Sequence, residues 1–156
     1  MNALALDLSF LADWDFEHDV GDYAEQRVCT MSAAVAAWRV TRGEDMNGAT
    51  DHLECVDRVI RKLVIARNDM TPLDELKPWA LAMIPRIIGT DGGMDLAIKR
   101  AEHIARYAVR VIAAEAMDFA KLPDLATKLR AVSDGASMAD LRSVASEAKD
   151  TATEGA

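Results

Sequence analysis

The chain is poor in the residues that build sheets. Phe, Trp and Tyr together make up 5% of its 156 residues, and aromatic and β-branched side chains are the ones that suit pleated strands. Cysteine is nearly absent. Cys29 and Cys55 are the only two, which excludes a multi-bridge disulfide scaffold and fits reduced thiols. C-x-x-C, H-E-x-x-H and the E-x-x-H pair of di-iron bundles do not occur, so neither a metal nor a cofactor is expected. No apolar run approaches the roughly 18 residues of a membrane-spanning helix. The first residues have neither a cationic start nor a long apolar stretch. No signal peptide is expected, and the expected location is cytoplasmic.

Positive charge is also missing from one region. Residues 1–26 hold seven acids and no Lys or Arg. The whole chain carries a net charge of −8, and an acidic surface repels nucleic acid and anionic membranes. Direct nucleic-acid binding and membrane binding are therefore not expected.

What is present points to helices. Hydrophobic residues make up 51% of the chain, too many for a disordered polymer. Alanine, the strongest helix former, accounts for 28 of 156 positions. The expected fold is all-α: a compact bundle of five to seven helices around a long central helix at about 94–122. Residues 1–149 are expected to form one helical domain, and 150–156 a frayed tail.

Periodicity supplies the segments. Residues 2–16 fit a strand or a helix, and a short helix is favoured because no second strand candidate is visible. Ala24, Val28, Met31, Val35 and Trp38 form an a/d seam for a helix over 20–42. Thr50 or Asp51 is expected to start a helix over 51–67. Thr71 followed by Pro72 reads as the start of a short helix that Pro78 stops. The apolar segment 78–88 should be kinked or broken at Pro85. The glycines of 89–93 make the sharpest break.

The rod 94–122 has two faces. At about 100° per residue, Ile98, Ala101, Ala105, Ala108, Ile112, Ala116 and Phe119 fall on one apolar arc, expected to be buried. Lys99, His103, Arg106, Arg110 and Lys121 fall on a cationic arc. A short helix over 123–132 and a last helix from Ser137 to about 149 complete the reading.

Two sets of residues are candidates for partner binding. One is the acidic group Asp13, Asp15, Glu17, Asp19 and Asp22. The other is the cationic arc Lys99, His103, Arg106 and Arg110, which could grip an acidic partner or serve as an internal counter-charge to that acidic group. Asp51, His52, Glu54 and Cys55 crowd metal-ligand types together but lack further ligands, and read as a helix start. The loop 89–93 lacks both phosphate-loop patterns and reads as a hinge. No catalytic triad or nucleophile elbow can be named.

Three functions from different classes remain. The first is a small, acidic, non-enzymatic protein-protein interaction module: an inhibitor, adaptor, immunity-type or assembly factor. It anticipates an exposed apolar patch at positions such as Trp14, Phe16, Ile65 or Trp79, has a protein as its partner, and leaves a homo-oligomer open. The second is a nucleic-acid mimic whose N-terminal acids occupy a basic protein. The third is a helical-bundle enzyme or ligand-binding domain using Glu115, His103 or His52.

Overall fold

A computed structural model describes residues 6–46 and 48–154. Residues 2–5 of the expected first helix, Asn47 of the expected loop and the last two residues of the expected tail lie outside that range. The chain is mostly helical, with one small sheet of two-residue strands. It divides into two compact units, Met1–Ala97 and Ile98–Ala156.

Among the described residues of the segment expected to be a short helix over 2–16, Ser9–Asp13 form a 3-10 turn and no α-helix is found. Strands β1 (Asp15–Phe16), β2 (Gly21–Asp22) and β3 (Arg27–Val28) follow. The sheet order is β1-β3-β2, with β1 parallel and β2 antiparallel to β3. Such short strands leave too little alternation to be visible in sequence. Gly21 is obligatory here: its φ is +87°, and a Cβ would lie 2.1 Å from the Arg27 carbonyl oxygen.

Helix α1 (Thr30–Thr41) starts ten residues later than the expected position 20. Asp22 caps a 3-10 turn at Tyr23–Glu25, and Gln26 takes a left-handed conformation that ends it. Cys29 then caps α1, its Sγ accepting from the Ser32 amide at 3.4 Å. The first eight residues of α1 are all buried, so α1 is the central helix of this unit.

Helix α2 (Arg58–Met70) also starts late, because buried Asp57 caps it through the Val59 and Ile60 amides. Thr71 does not start the next helix. Its hydroxyl donates to the Arg67 carbonyl at 2.7 Å and closes α2. Helix α3 (Leu73–Ile87) runs through both Pro78 and Pro85, against expectation. Both prolines are exposed, while Leu76, Ala80, Ile84 and Ile87 are buried. The lost amide hydrogen bonds fall on the solvent side, and packing of the opposite face holds the helix together.

Asn68 joins these parts. Its Oδ1 accepts from the Thr30 amide and hydroxyl at 2.9 and 2.7 Å, and its Nδ2 donates to the Glu17 and His18 carbonyls at 3.1 and 3.4 Å. The core of this unit packs Leu11, Trp14, Phe16, Val28, Met31, Val35, Leu76 and Ile84 together. Trp14 and Phe16 are thus core residues, and Ile65 and Trp79 pack partly buried against them. None of the four belongs to an exposed patch.

The long helix is α4 (Gly93–Tyr107), a π-helical segment (Ala108–Ala113) and α5 (Ala114–Phe119). The unit boundary falls inside α4. Lys121, with φ +61°, ends the rod just short of the expected 122. Helix α6 (Pro123–Arg130) and helix α7 (Met138–Glu154) follow. Helix α7 runs past the expected end near 149. Ser137 and Asp140 make its start: the Ser137 hydroxyl and amide donate to the Asp140 carboxylate at 2.7 and 2.9 Å.

The expected apolar arc of the rod is not the buried one. None of its seven residues is fully buried. Ile98 is exposed, Ile112 is 58% exposed and Phe119 is 92% exposed. The core of the second unit takes Val109 and Ala114 from the rod, with Leu129, Ala136, Leu141 and Ala148. A π-turn advances less per residue than an α-turn, so six such residues retard the helix phase. Ile112, Ala116 and Phe119, in line by α-helical counting, rotate outward.

Candidate anion-binding cleft

The second unit carries a cleft of about 440 Å³, lined by His103, Arg106, Tyr107, Arg110, Val111, Arg130 and Asp134. The rod presents five of these, His103, Arg106, Tyr107, Arg110 and Val111, at i, i+3, i+4, i+7 and i+8, the spacing that puts side chains on one helical face. Arg130 comes from the last turn of α6. Asp134 comes from the turn between α6 and α7.

Each arginine is held differently. Arg106 reaches Glu102 one turn back at 3.5 Å, and its Nη2 donates to the Ala136 carbonyl at 3.4 Å. Its side chain is 24% exposed. The Arg106 Nε is buried and meets no acceptor. An orphaned buried donor costs about 1–3 kcal/mol. Arg110 pairs with Asp134, whose side chain is 88% exposed. Arg130 pairs with Asp118, and that hydrogen bond together with the Asp118 charge raises the Arg130 pKa above its ordinary value. Three guanidinium groups, an imidazole and a phenol thus face one cavity that contains a single carboxylate.

Of the cationic arc read from sequence, His103, Arg106 and Arg110 come together here. Lys99 and Lys121 do not line the cleft. Arg106 and Arg110 pair with carboxylates within their own unit, and Glu17 pairs with Arg27 at 3.2 Å. Asp22 is used as a cap, donated to by the Ala24 amide at 2.8 Å. Asp13, Asp15 and Asp19 are exposed.

His52 lies in the first unit, where Arg61 Nη1 contacts its Nδ1 at 2.5 Å. It lines a second cleft of about 310 Å³ with Arg58, Arg61, Glu54 and Asp91, where the charges balance. Glu115 is exposed and stands twelve residues beyond His103 along the rod. They do not share a site. Among the described residues, no group of three or more His, Cys, Asp and Glu side chains is arranged to hold a metal ion. No helix among them is long and apolar enough to cross a membrane.

Sequence reasoning missed Tyr107, Arg130 and Asp134. Tyr107 was within reach, since it sits four residues after His103 on the same face. Arg130 and Asp134 are brought in by the fold of α6 over the π segment, which no local spacing encodes. Comparison with known proteins places no relative beside this cleft: no family model, no curated protein and no solved structure matches the chain.

Proposed function

We propose that this protein is a small, non-enzymatic interaction module that grips an acidic segment of a protein partner in the Arg106–Arg110–Arg130 cleft. Its role would be that of an inhibitor, adaptor, immunity-type protein or assembly factor. The observation that carries the reading is the gathering of arginines in a chain of net charge −8. Three arginines and a histidine line one cavity, and of the three carboxylates that pair with those arginines, Glu102, Asp118 and Asp134, only Asp134 lines it. Their present partners are surface carboxylates, and exposed pairs of that kind are weak enough to exchange. Arginine clusters recognise acidic motifs by this chemistry.

The mimicry reading has less behind it, because Glu17 and Asp22 of its five acids are engaged in local structure. The enzyme reading also has less behind it, because Glu115 and His103 stand twelve residues apart along the rod.

The test is fluorescence anisotropy with a labelled peptide of alternating Glu and Gly, against a Lys-for-Glu control. The acidic peptide is expected to bind, to weaken with added salt, and to lose about tenfold or more in affinity with Arg110→Ala plus Arg130→Ala. Circular dichroism checks that the variant is folded. Equal binding by the folded variant contradicts the proposal.

A further inference from the structure

We propose that the anion this cleft is shaped for is a phosphate monoester carried on the partner's acidic segment, with Asp134 as its resident stand-in. The inference rests on the cleft being the partner site. It starts from what a carboxylate already achieves there. Asp134 sits on Arg110 alone: Arg130 turns to Asp118, and Arg106 to Glu102 and the Ala136 carbonyl. A carboxylate has two oxygens and one charge, so a second one would repeat this partial satisfaction.

A phosphate monoester brings three free oxygens and close to two charges at neutral pH. That is enough to accept from two guanidinium forks at once. The donors it would meet come from two different elements, the rod and the end of α6. Cleft size agrees: about 440 Å³ is within the range of roughly 300–1,000 Å³ for ligand sites and exceeds the needs of one carboxylate. The half-exposed Tyr107 ring forms a wall that a peptide side chain can lie against.

Asp134 is suited to yielding its place. It is 88% exposed and stands between Ser133 and Gly135 in the turn between two helices, not on either helix. Its departure leaves Arg110 open without disturbing the core of Val109, Leu129 and Leu141. The turn therefore acts as an internal competitor, lowering the affinity for singly charged peptides and giving way to a doubly charged group.

The full chain is titrated by anisotropy with three labelled peptides, equal except for one central residue in an acidic context: phosphoserine, Glu or Ser. Inorganic phosphate is added as competitor in a separate arm. The phosphoserine peptide is expected to bind about tenfold or more tighter than the Glu peptide. Asp134→Asn, a surface change, is expected to tighten phosphopeptide binding a fewfold, and Arg110→Lys to weaken it about as much as Arg110→Ala. Inorganic phosphate should compete only at far higher concentration than the peptide. Equal affinity for the Glu and phosphoserine peptides overturns the inference and leaves the proposed function standing. Phosphate competing as well as the peptide removes the peptide as the source. Weaker or unchanged binding by Asp134→Asn removes the stand-in role. If none of the three peptides binds, the cleft is not the partner site and the proposed function falls as well.

Discussion

The two units differ in both charge and core. The first, residues 1–97, holds 17 acids and 9 bases, a net of −8; the second, residues 98–156, holds 9 of each and is neutral. The first is built on large side chains, with Leu11, Trp14, Phe16, Met31, Leu76 and Ile84 packed around a nearly fully buried helix. The second is built largely on alanine: Ala114, Ala136 and Ala148 supply half of its buried cluster. Burial stabilises in proportion to apolar area, at roughly 25 cal/mol per Å², so the first unit has much the deeper reserve. The arginine-rich cleft lies in the unit with the smaller core, between the rod and α6, which pack through Val109, Ala114 and Leu129. The units differ in depth of core and not in having exposed ion pairs, since Arg27–Glu17 and Arg42–Glu44 lie in the first.

The largest test of this contrast is truncation in the first core. Leu76 is fully buried, and Leu76→Ala is expected to lower stability by about 2–5 kcal/mol. Ala114→Gly in the second core removes one methyl and costs roughly 1 kcal/mol through helix propensity. Urea unfolding monitored by Trp fluorescence reports the first change, since Trp14, Trp38 and Trp79 all lie in the first unit. Comparable losses for the two substitutions would erase the contrast.

Alkaline pH probes the first unit through a different group. Burial pushes the Tyr23 phenol up to about 12 from an ordinary 10.0, the nearby Arg39 charge opposing it. Its hydroxyl donates to the Ser32 carbonyl at 2.8 Å. Folding favours the neutral phenol, so its contribution is full below pH 10 and is lost as pH rises towards 12. Tyr23→Phe is expected to remove that part of the alkaline destabilisation, measured by melting temperature against pH. An unchanged alkaline limb would mean Tyr23 is not the titrating group.

A more local effect belongs to the second unit. Hydrogen bonds from the Ser137 hydroxyl and amide lower the Asp140 pKa. Stability from this cap is therefore present above the ordinary carboxylate range and is lost as pH falls through the depressed value. Ser137→Ala is expected to cost about 0.5–2 kcal/mol and to fray the start of α7, measured by amide exchange at Met138–Leu141. Unaltered exchange there would show that α7 is held by its packing alone.

Helix content was legible because alanine abundance and scarce aromatics bear on backbone preference directly. The buried identities Val28, Met31 and Val35 were also legible, although Val28 proved to be in a strand. What sequence could not carry was phase. Six π-helical residues turn Ile112 and Phe119 outward, and nothing in AVRVIA distinguishes a π-turn from an α-turn. Pro78 and Pro85 misled for a related reason: whether a proline breaks a helix depends on which side faces solvent. In the cleft, His103, Arg106 and Arg110 were visible as one helical face. Arg130 and Asp134 joined them only through tertiary structure.

The cleft is tested most directly by an NMR titration of the labelled full chain with the acidic phosphoserine peptide. Shifts should concentrate at His103, Arg106, Tyr107, Arg110, Arg130 and Asp134, with the first unit unmoved. Shifts centred on Asp13–Asp22 or on the His52 cleft, or none at all, would contradict it.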